Sequence, residues 1–318
     1  MDSIPFSLVE WTLWMGGVAT LLWIVTLFIK KEKNALRLFA KLFFWFGPVT
    51  LFALGLGQGA FPFSLAPSAW RTPLATKLGT DSLLEFDFRS WTEEKEIRLN
   101  NHFNWRRYYS LSPIQTLSVC DHSLDTVLAQ NGLLPGRSVR NFKDMGPLCS
   151  ALGMIYGGPA FHDPFYGEIG IIKASIYPTS LHWRNIAVCH ETAHAKGFTR
   201  EIDAEILTQM ALQQAGKTDD RFLFLADIHF LEKTGISTRW PKALSEELQR
   251  VQVLRKEVQN RQPIINRLRH WAVILHLRNS PKKYGDRESQ ERWNPRHPFF
   301  SLIHRLEAHR ENQPKPNP

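Results

Sequence analysis

Apolar positions along this chain follow three different rhythms. From Trp11 to Ile29 and again from Leu42 to Trp70 the sequence carries no charge and is rich in Leu, Val, Ile, Phe and Trp. Each run matches the roughly 20 apolar residues that cross a bilayer as a helix. Between about residue 90 and residue 235 apolar residues recur at helical spacing, interrupted by turn residues. Ser90-Trp91-Thr92-Glu93 reads as a capping box opening a helix to about Tyr109, with acidic residues at its start and Arg106 and Arg107 at its end. Two further helices are expected between Ser112 and Met154, broken near Leu134-Pro135-Gly136. Gly158 to Pro178 changes rhythm. Ile169, Ile171, Ile172, Ile176 and Tyr177 are strand formers bounded by Gly167 and Pro178, which predicts a strand or hairpin. Helical spacing then returns over Thr179–Lys196, over a segment capped by Thr199, over Arg221–Leu231 and over the charged stretch Ser245–Gln262. Trp271–Leu277 is apolar but far too short to span a membrane, and the Pro-rich end from Asn312 reads as a disordered tail.

The helix predicted after Pro178 has Thr179 or Ser180 as its N-cap and Gly197 as its stop. It contains His190-Glu191-Thr192-Ala193-His194, an H-E-x-x-H pattern. Residues four apart lie on one helix face, so both imidazoles reach a single ion. Glu191 flanks that ion without binding it and is placed to act as general base toward a metal-activated water. Glu201 opens the next predicted helix, which also carries Asp203 and Glu205. If that helix folds back, Glu201 completes a two-His, one-carboxylate set with an open position, the pattern of catalytic rather than structural zinc. His229 is a further candidate ligand or transition-state donor, although a satisfied buried histidine is the plainer reading. His182 lies two turns upstream of His190, too far to join. His162 and Asp163 precede the strand and can line a cleft or simply form a polar turn.

Pro164-Phe165-Tyr166-Gly167-Glu168, the HETAHAKGF run and Arg200-Glu201-Ile202-Asp203-Ala204-Glu205 together resemble a bacterial family of membrane-anchored HExxH proteins whose function is unassigned. The family motif is close to HExAHxxGFxxExEAN, and the chain is more broadly similar to gluzincins. The resemblance, strongest over Pro164–Glu205, implies a metal-dependent hydrolase with His190, His194 and Glu201 as zinc ligands and Glu191 as base, and says little about substrate. In zincins the strand before this helix is an upper platform on which an extended peptide adds as a strand; the other reading is a short hairpin that covers the helix. Two departures stand out. Glu205 replaces the family Asn or Asp, and the step from His194 to Glu201 is shorter than in gluzincins. Asp203 or Glu205 therefore stay open as alternative third ligands, with Glu205 better suited to accept a hydrogen bond from a ligand histidine. Tyr166 and Arg200 join His229 as candidate oxyanion donors.

Topology follows from charge. Lys30, Lys31, Lys33, Arg37 and Lys41 crowd the connection between the two apolar runs, opposed only by Glu32. The positive-inside rule places this loop in the cytoplasm and the rest of the chain outside the bacterial inner membrane. The acidic residues Asp2 and Glu10 ahead of the first run argue against a cleaved signal peptide. The net charge of +9 sits largely in that loop and in the C-terminal region, interleaved with Glu. No nucleic-acid motif accompanies it, and an anionic membrane surface accounts for it. Of the three cysteines, Cys120 and Cys149 can pair in an oxidising compartment, closing a loop worth about 3–4 kcal/mol, or all three are buried thiols. Cys189 is expected to pack in the core, turned away from the metal.

The expected architecture over the 318 residues is thus mainly α with a small β platform, an α+β zincin-like catalytic domain at residues 71–235. A two-helix transmembrane hairpin precedes it at 1–70, and a helical region with a disordered tail follows at 236–318. The expected function is a zinc-dependent metallopeptidase; the alternative is a non-catalytic, membrane-anchored binding or regulatory protein with a structural zinc site.

Overall fold

The computed structural model describes residues 7–28, 88–102, 110–133, 141–156, 160–163, 168–173, 176–198, 201–234 and 240–261, together with residues 37, 38, 40–44, 47, 107, 139, 263, 264 and 267. Along the chain these form α1 (Leu8–Phe28), α2 (Phe88–His102), α3 (Pro113–Gln130), β1 (Asn141–Asp144), α4 (Pro147–Tyr156), β2 (Ala160–Asp163), β3 (Glu168–Ile171), α5 (Leu181–Ala195), α6 (Glu201–Ala215), α7 (Asp220–Thr234) and α8 (Lys242–Arg261). The architecture is mainly helical with one three-stranded sheet, as the sequence predicts.

Helix α5 is the centre of the arrangement. On one side it packs into a bundle with α3, α6 and α7; on the other it lies against β2 and β3. Ile186, Cys189 and Ala193 face the bundle, among Leu124, Leu128, Leu207, Ala211 and Leu225. Val188 and Ala195 face the sheet, against Ile169 and Ile171. A helix covered on two sides must be apolar over most of its circumference, which explains why its sequence shows so little amphipathic contrast.

The hairpin before α5 is present: β2 and β3 pair antiparallel, with His162 opposite Ile169 and Ala160 opposite Ile171. Gly170 permits this, because a Cβ there would stand 2.4 Å from the Phe161 ring. The sheet also has a strand the sequence does not announce. β1 pairs parallel to β3 in the order β1-β3-β2. Its four residues, Asn-Phe-Lys-Asp, hold a single strand former, so the pairing is imposed by the neighbouring strand rather than by local preference.

Two other expectations are corrected. Helix α2 begins at Phe88, so Ser90 lies inside the first turn and does not cap it. The capping box belongs to α3 instead: Ser112 accepts from the Gln115 amide at 3.3 Å and the Gln115 side chain accepts from the Ser112 amide at 3.0 Å. The cysteine pairing also differs. Cys120 is joined to Cys189, with Cα atoms 5.4 Å apart, and Cys149 is a buried free thiol. The spacing of Cys120 and Cys149 said nothing of this, because the packing of α3 on α5 decides which sulfurs meet. Closing the 69-residue separation between Cys120 and Cys189 is worth about 4 kcal/mol in the chain-entropy model.

Helix α1 is docked through its first turn. The Glu168 carboxylate accepts from Ser7 Oγ at 2.6 Å and from the Leu8 amide at 2.9 Å. Glu10 reaches the start of α4 and accepts from the Leu148 and Cys149 amides, each at 2.8 Å. An acidic group is stabilised there by the N-terminal amides of α4. Beyond this anchor α1 exposes Trp11, Trp14, Val18, Leu21, Ile24 and Val25. Among the described residues no helix is long and apolar enough to cross a membrane. The predicted second span, Leu42–Trp70, lies almost wholly outside the described residues, as do the linker at 61–82, the apolar piece Trp271–Leu277 and the C-terminal tail. At the other end, α8 is tied to the start of α5. Glu247 accepts from the Leu181 amide at 2.9 Å and Arg255 donates to the Pro178 carbonyl at 2.7 Å.

Candidate metal centre

From Asn185 to Phe198 the chain is buried except at His190, Glu191 and His194. Helical geometry explains the pattern. At about 100° per residue, Val188 and Ala195 share the sheet side of α5 and Ile186, Cys189 and Ala193 share the bundle side. Glu191, His194 and His190 occupy the sector left between them. The motif therefore opens onto solvent, while everything around it on the helix is locked in the core.

The two imidazoles converge. Their Nε2 atoms stand 3.1 Å apart, with ring centroids at 4.7 Å. Two nitrogens bound to one tetrahedral zinc at roughly 2.0–2.1 Å are about 3.3 Å apart, so the pair fits a shared ion with only slight adjustment. The tautomer is also set. His194 Nδ1 lies 2.6 Å from the Phe198 carbonyl oxygen. A carbonyl only accepts, so Nδ1 carries the proton and Nε2 presents its lone pair toward His190.

The Phe198 carbonyl reaches back because the chain reverses at Gly197, which has φ 96°. A Cβ is disfavoured in that left-handed region, so glycine suits the turn. The same turn is held by Lys196, whose side chain is 0 % exposed and whose Nζ lies 2.6 Å from Asp121 and 2.8 Å from Asp125, both on α3. Asp121 in addition accepts from the Val139 amide at 3.0 Å. The end of the motif helix is thus pinned to α3 by an ion-paired lysine, and the helix is tied to α3 again just before the motif by Cys120–Cys189.

The remaining candidates separate. Glu201 is the first residue of α6, immediately beyond the Gly197 turn, and its side chain is outside the described residues. Asp203 is buried on α6. Glu205 is drawn elsewhere: its Oε2 lies 2.8 Å from His229 Nε2, and its Oε1 accepts from Lys233. Burial alone would raise its pKa, but His229, Lys233 and the nearby His190 hold the carboxyl well below the ordinary range. The sequence suggested Glu205 as the acceptor for a ligand histidine; at His194 the Phe198 carbonyl takes that place. His229 is 2 % exposed and its Nδ1 meets Gln209 at 2.9 Å, so both of its ring nitrogens have protein partners. Burial, opposed by Glu205, lowers its pKa. His182 is held by Ser180 and Glu232, away from the motif. Among the described residues no group of three or more His, Cys, Asp or Glu side chains is arranged to hold a metal ion. Tyr166 and Arg200 lie outside the described residues.

One contributor was not legible beforehand: a buried lysine at position 196 reads from sequence as a surface charge. His162, expected before the strand as a cleft-lining residue or part of a polar turn, lies within β2, with its pKa lowered to about 4 chiefly by burial and further by His194. In comparisons with known proteins, no family model, no curated sequence and no solved structure matches this chain.

Proposed function

We propose that this chain is a membrane-anchored, zinc-dependent metallopeptidase. The observation that carries the reading is the open stripe of α5. His190, Glu191 and His194 alone reach solvent on an otherwise buried stretch, with two Nε2 atoms 3.1 Å apart. A structural site is closed by protein ligands, whereas a catalytic one keeps a position open. His229, the side chain best placed in sequence to close it, is engaged with Glu205 and Gln209.

His190, His194 and Glu201 are the proposed ligands. Those residues would hold a zinc ion, which when bound would supply Lewis acidity toward a water and a substrate carbonyl. Glu191 takes the proton from the attacking water and delivers it to the leaving amine as the C–N bond breaks. The Phe198 carbonyl keeps His194 in the ligating tautomer throughout. Anchoring rests on the two charge-free runs, Trp11–Ile29 and Leu42–Trp70, and on the outward apolar side chains of α1. The disulfide beside the motif favours an oxidising compartment and so an outward-facing site.

The test uses the full chain in detergent micelles, supplied with zinc and a fluorogenic peptide library. One equivalent of zinc is expected, weakened in Glu201→Ala. Glu191→Gln is expected to keep the zinc and lose about 10²–10⁴-fold in turnover. A folded parent that takes up no zinc, or a Glu191→Gln variant with full turnover, overturns the proposal.

A further inference from the structure

The platform strand carries a histidine that the metal site does not use. Side chains alternate across a strand, and directly opposed residues of an antiparallel pair point to the same face. Ile169 and Ile171 of β3 point toward α5, where they meet Val188 and Ala195. Their partners in β2 are His162 and Ala160. Ala160 packs into that same cluster. Phe161, between them, points the other way, into the cluster of Met145, Cys149 and Ile172. His162 is therefore on the α5 side of the sheet, on the strand at its edge. On α5 the sector next to the sheet side holds Glu191 and His194. His162 is half-buried and close enough to His194 to sense its charge.

A group in this place faces the site from the wall opposite the base and ligands. Among the described residues β2 pairs with β3 along one edge, and its other edge is where an extended chain would add. Such a chain lies between β2 and the open stripe of α5, with its reacting carbonyl between His162 and the His190–His194 pair. A neutral imidazole donates a hydrogen bond from one of its nitrogens. We infer that His162 is the donor that hydrogen-bonds the scissile carbonyl oxygen as it gains negative charge, in place of the downstream His229. The inference rests on the metallopeptidase reading and adds to it a substrate-contacting residue drawn from the strand.

The test again uses the full chain in detergent, loaded with zinc, comparing parent, His162→Phe and His162→Gln. The probe is acetohydroxamate, a small anionic chelator that makes no demand on substrate specificity. Zinc affinity, measured by competition with a chelator, is expected to be the same in all three proteins. Acetohydroxamate affinity is expected to fall about tenfold or more in His162→Phe and to recover in part in His162→Gln, which keeps an N–H. Where a cleaved peptide has been found, kcat for it falls by about 10²-fold in His162→Phe with KM little changed. Unchanged acetohydroxamate affinity in both variants overturns the inference and leaves the metal centre standing. A large loss of zinc affinity in His162→Phe overturns it too, by making His162 a ligand. Absence of zinc from the parent overturns the metallopeptidase reading itself.

Discussion

Two histidine–carboxylate clusters lie side by side in this molecule, and they differ in what surrounds them. In the first, His229 is sealed between Glu205 and Gln209, with Lys233 on the far carboxylate oxygen. Every ring nitrogen has a partner, and the histidine is almost fully buried. In the second, His190 and His194 bring two Nε2 atoms to one point beside Glu191, on a stripe that reaches solvent. Residue types barely distinguish them. The first network uses its polar groups to satisfy one another and so fixes α6 against α7. The second orients its groups through a backbone carbonyl and leaves a shared point in front of them. That difference separates a structural polar network from a site that can take a ligand.

Substitution of the histidines tests this most severely. His194→Ala is expected to abolish zinc binding in the full chain, measured as bound metal after dialysis, because half of the converging pair is gone. His229→Ala is expected to leave stoichiometric zinc but to lower stability by about 2–3 kcal/mol, since the buried Glu205 and Gln209 groups lose their partner. Loss of metal in His229→Ala together with retention in His194→Ala reverses the assignment.

A smaller effect, on stability more than on metal, is expected at the clamp behind the site. Lys196→Met removes the cation from between Asp121 and Asp125 and leaves buried negative charge. A loss of about 3–5 kcal/mol is expected, read as a fall in the denaturant midpoint. Restoring stability by changing Asp121 and Asp125 together to Asn in that background confirms that the cost is electrostatic. If Lys196→Met unfolds at the parent's midpoint, the clamp has no role in holding α5.

The gentlest probe is pH, applied to the metal-free chain. His162 and His229 have folded pKa values below the ordinary histidine value, chiefly through burial. The unfolded chain therefore binds more protons than the folded one once pH falls below about 6.5. Stability is expected to be fully present above that pH and to decline toward pH 4. Below about 4.5 Glu205 adds to the loss, because its folded pKa is depressed and its unfolded form protonates first. In His229→Phe, stability should fall less steeply over the histidine range; an identical slope removes His229 as a contributor.

How much of this could be read from residues alone varies with the range of the interaction. The α5 helix, its arrest at Gly197, the fold-back into α6, the hairpin before it and the pairing of His190 with His194 are local. Each depends on spacings of a few residues and on backbone preferences those residues carry themselves, so the sequence announces them. The β1 strand depends on β3 for its hydrogen bonds and has little strand preference of its own. The Cys120–Cys189 pairing depends on which face of α3 meets α5. Glu205 looked like a partner for a ligand histidine because it sits near the motif in sequence; α7, arriving later in the chain, supplies His229 and Lys233 and claims it. Lys196 could not be placed by pattern, and His162 only as a cleft or turn residue beside the strand, because burial of a lysine and the facing of a strand histidine are settled by neighbours far along the chain. The sequence by itself determined the chemistry on offer, an H-E-x-x-H helix with an acidic helix behind it. Only tertiary packing decided which sector of that helix stays open, since the bundle covers α5 on one side and the sheet on the other, and between them lies the sector of His190, Glu191 and His194.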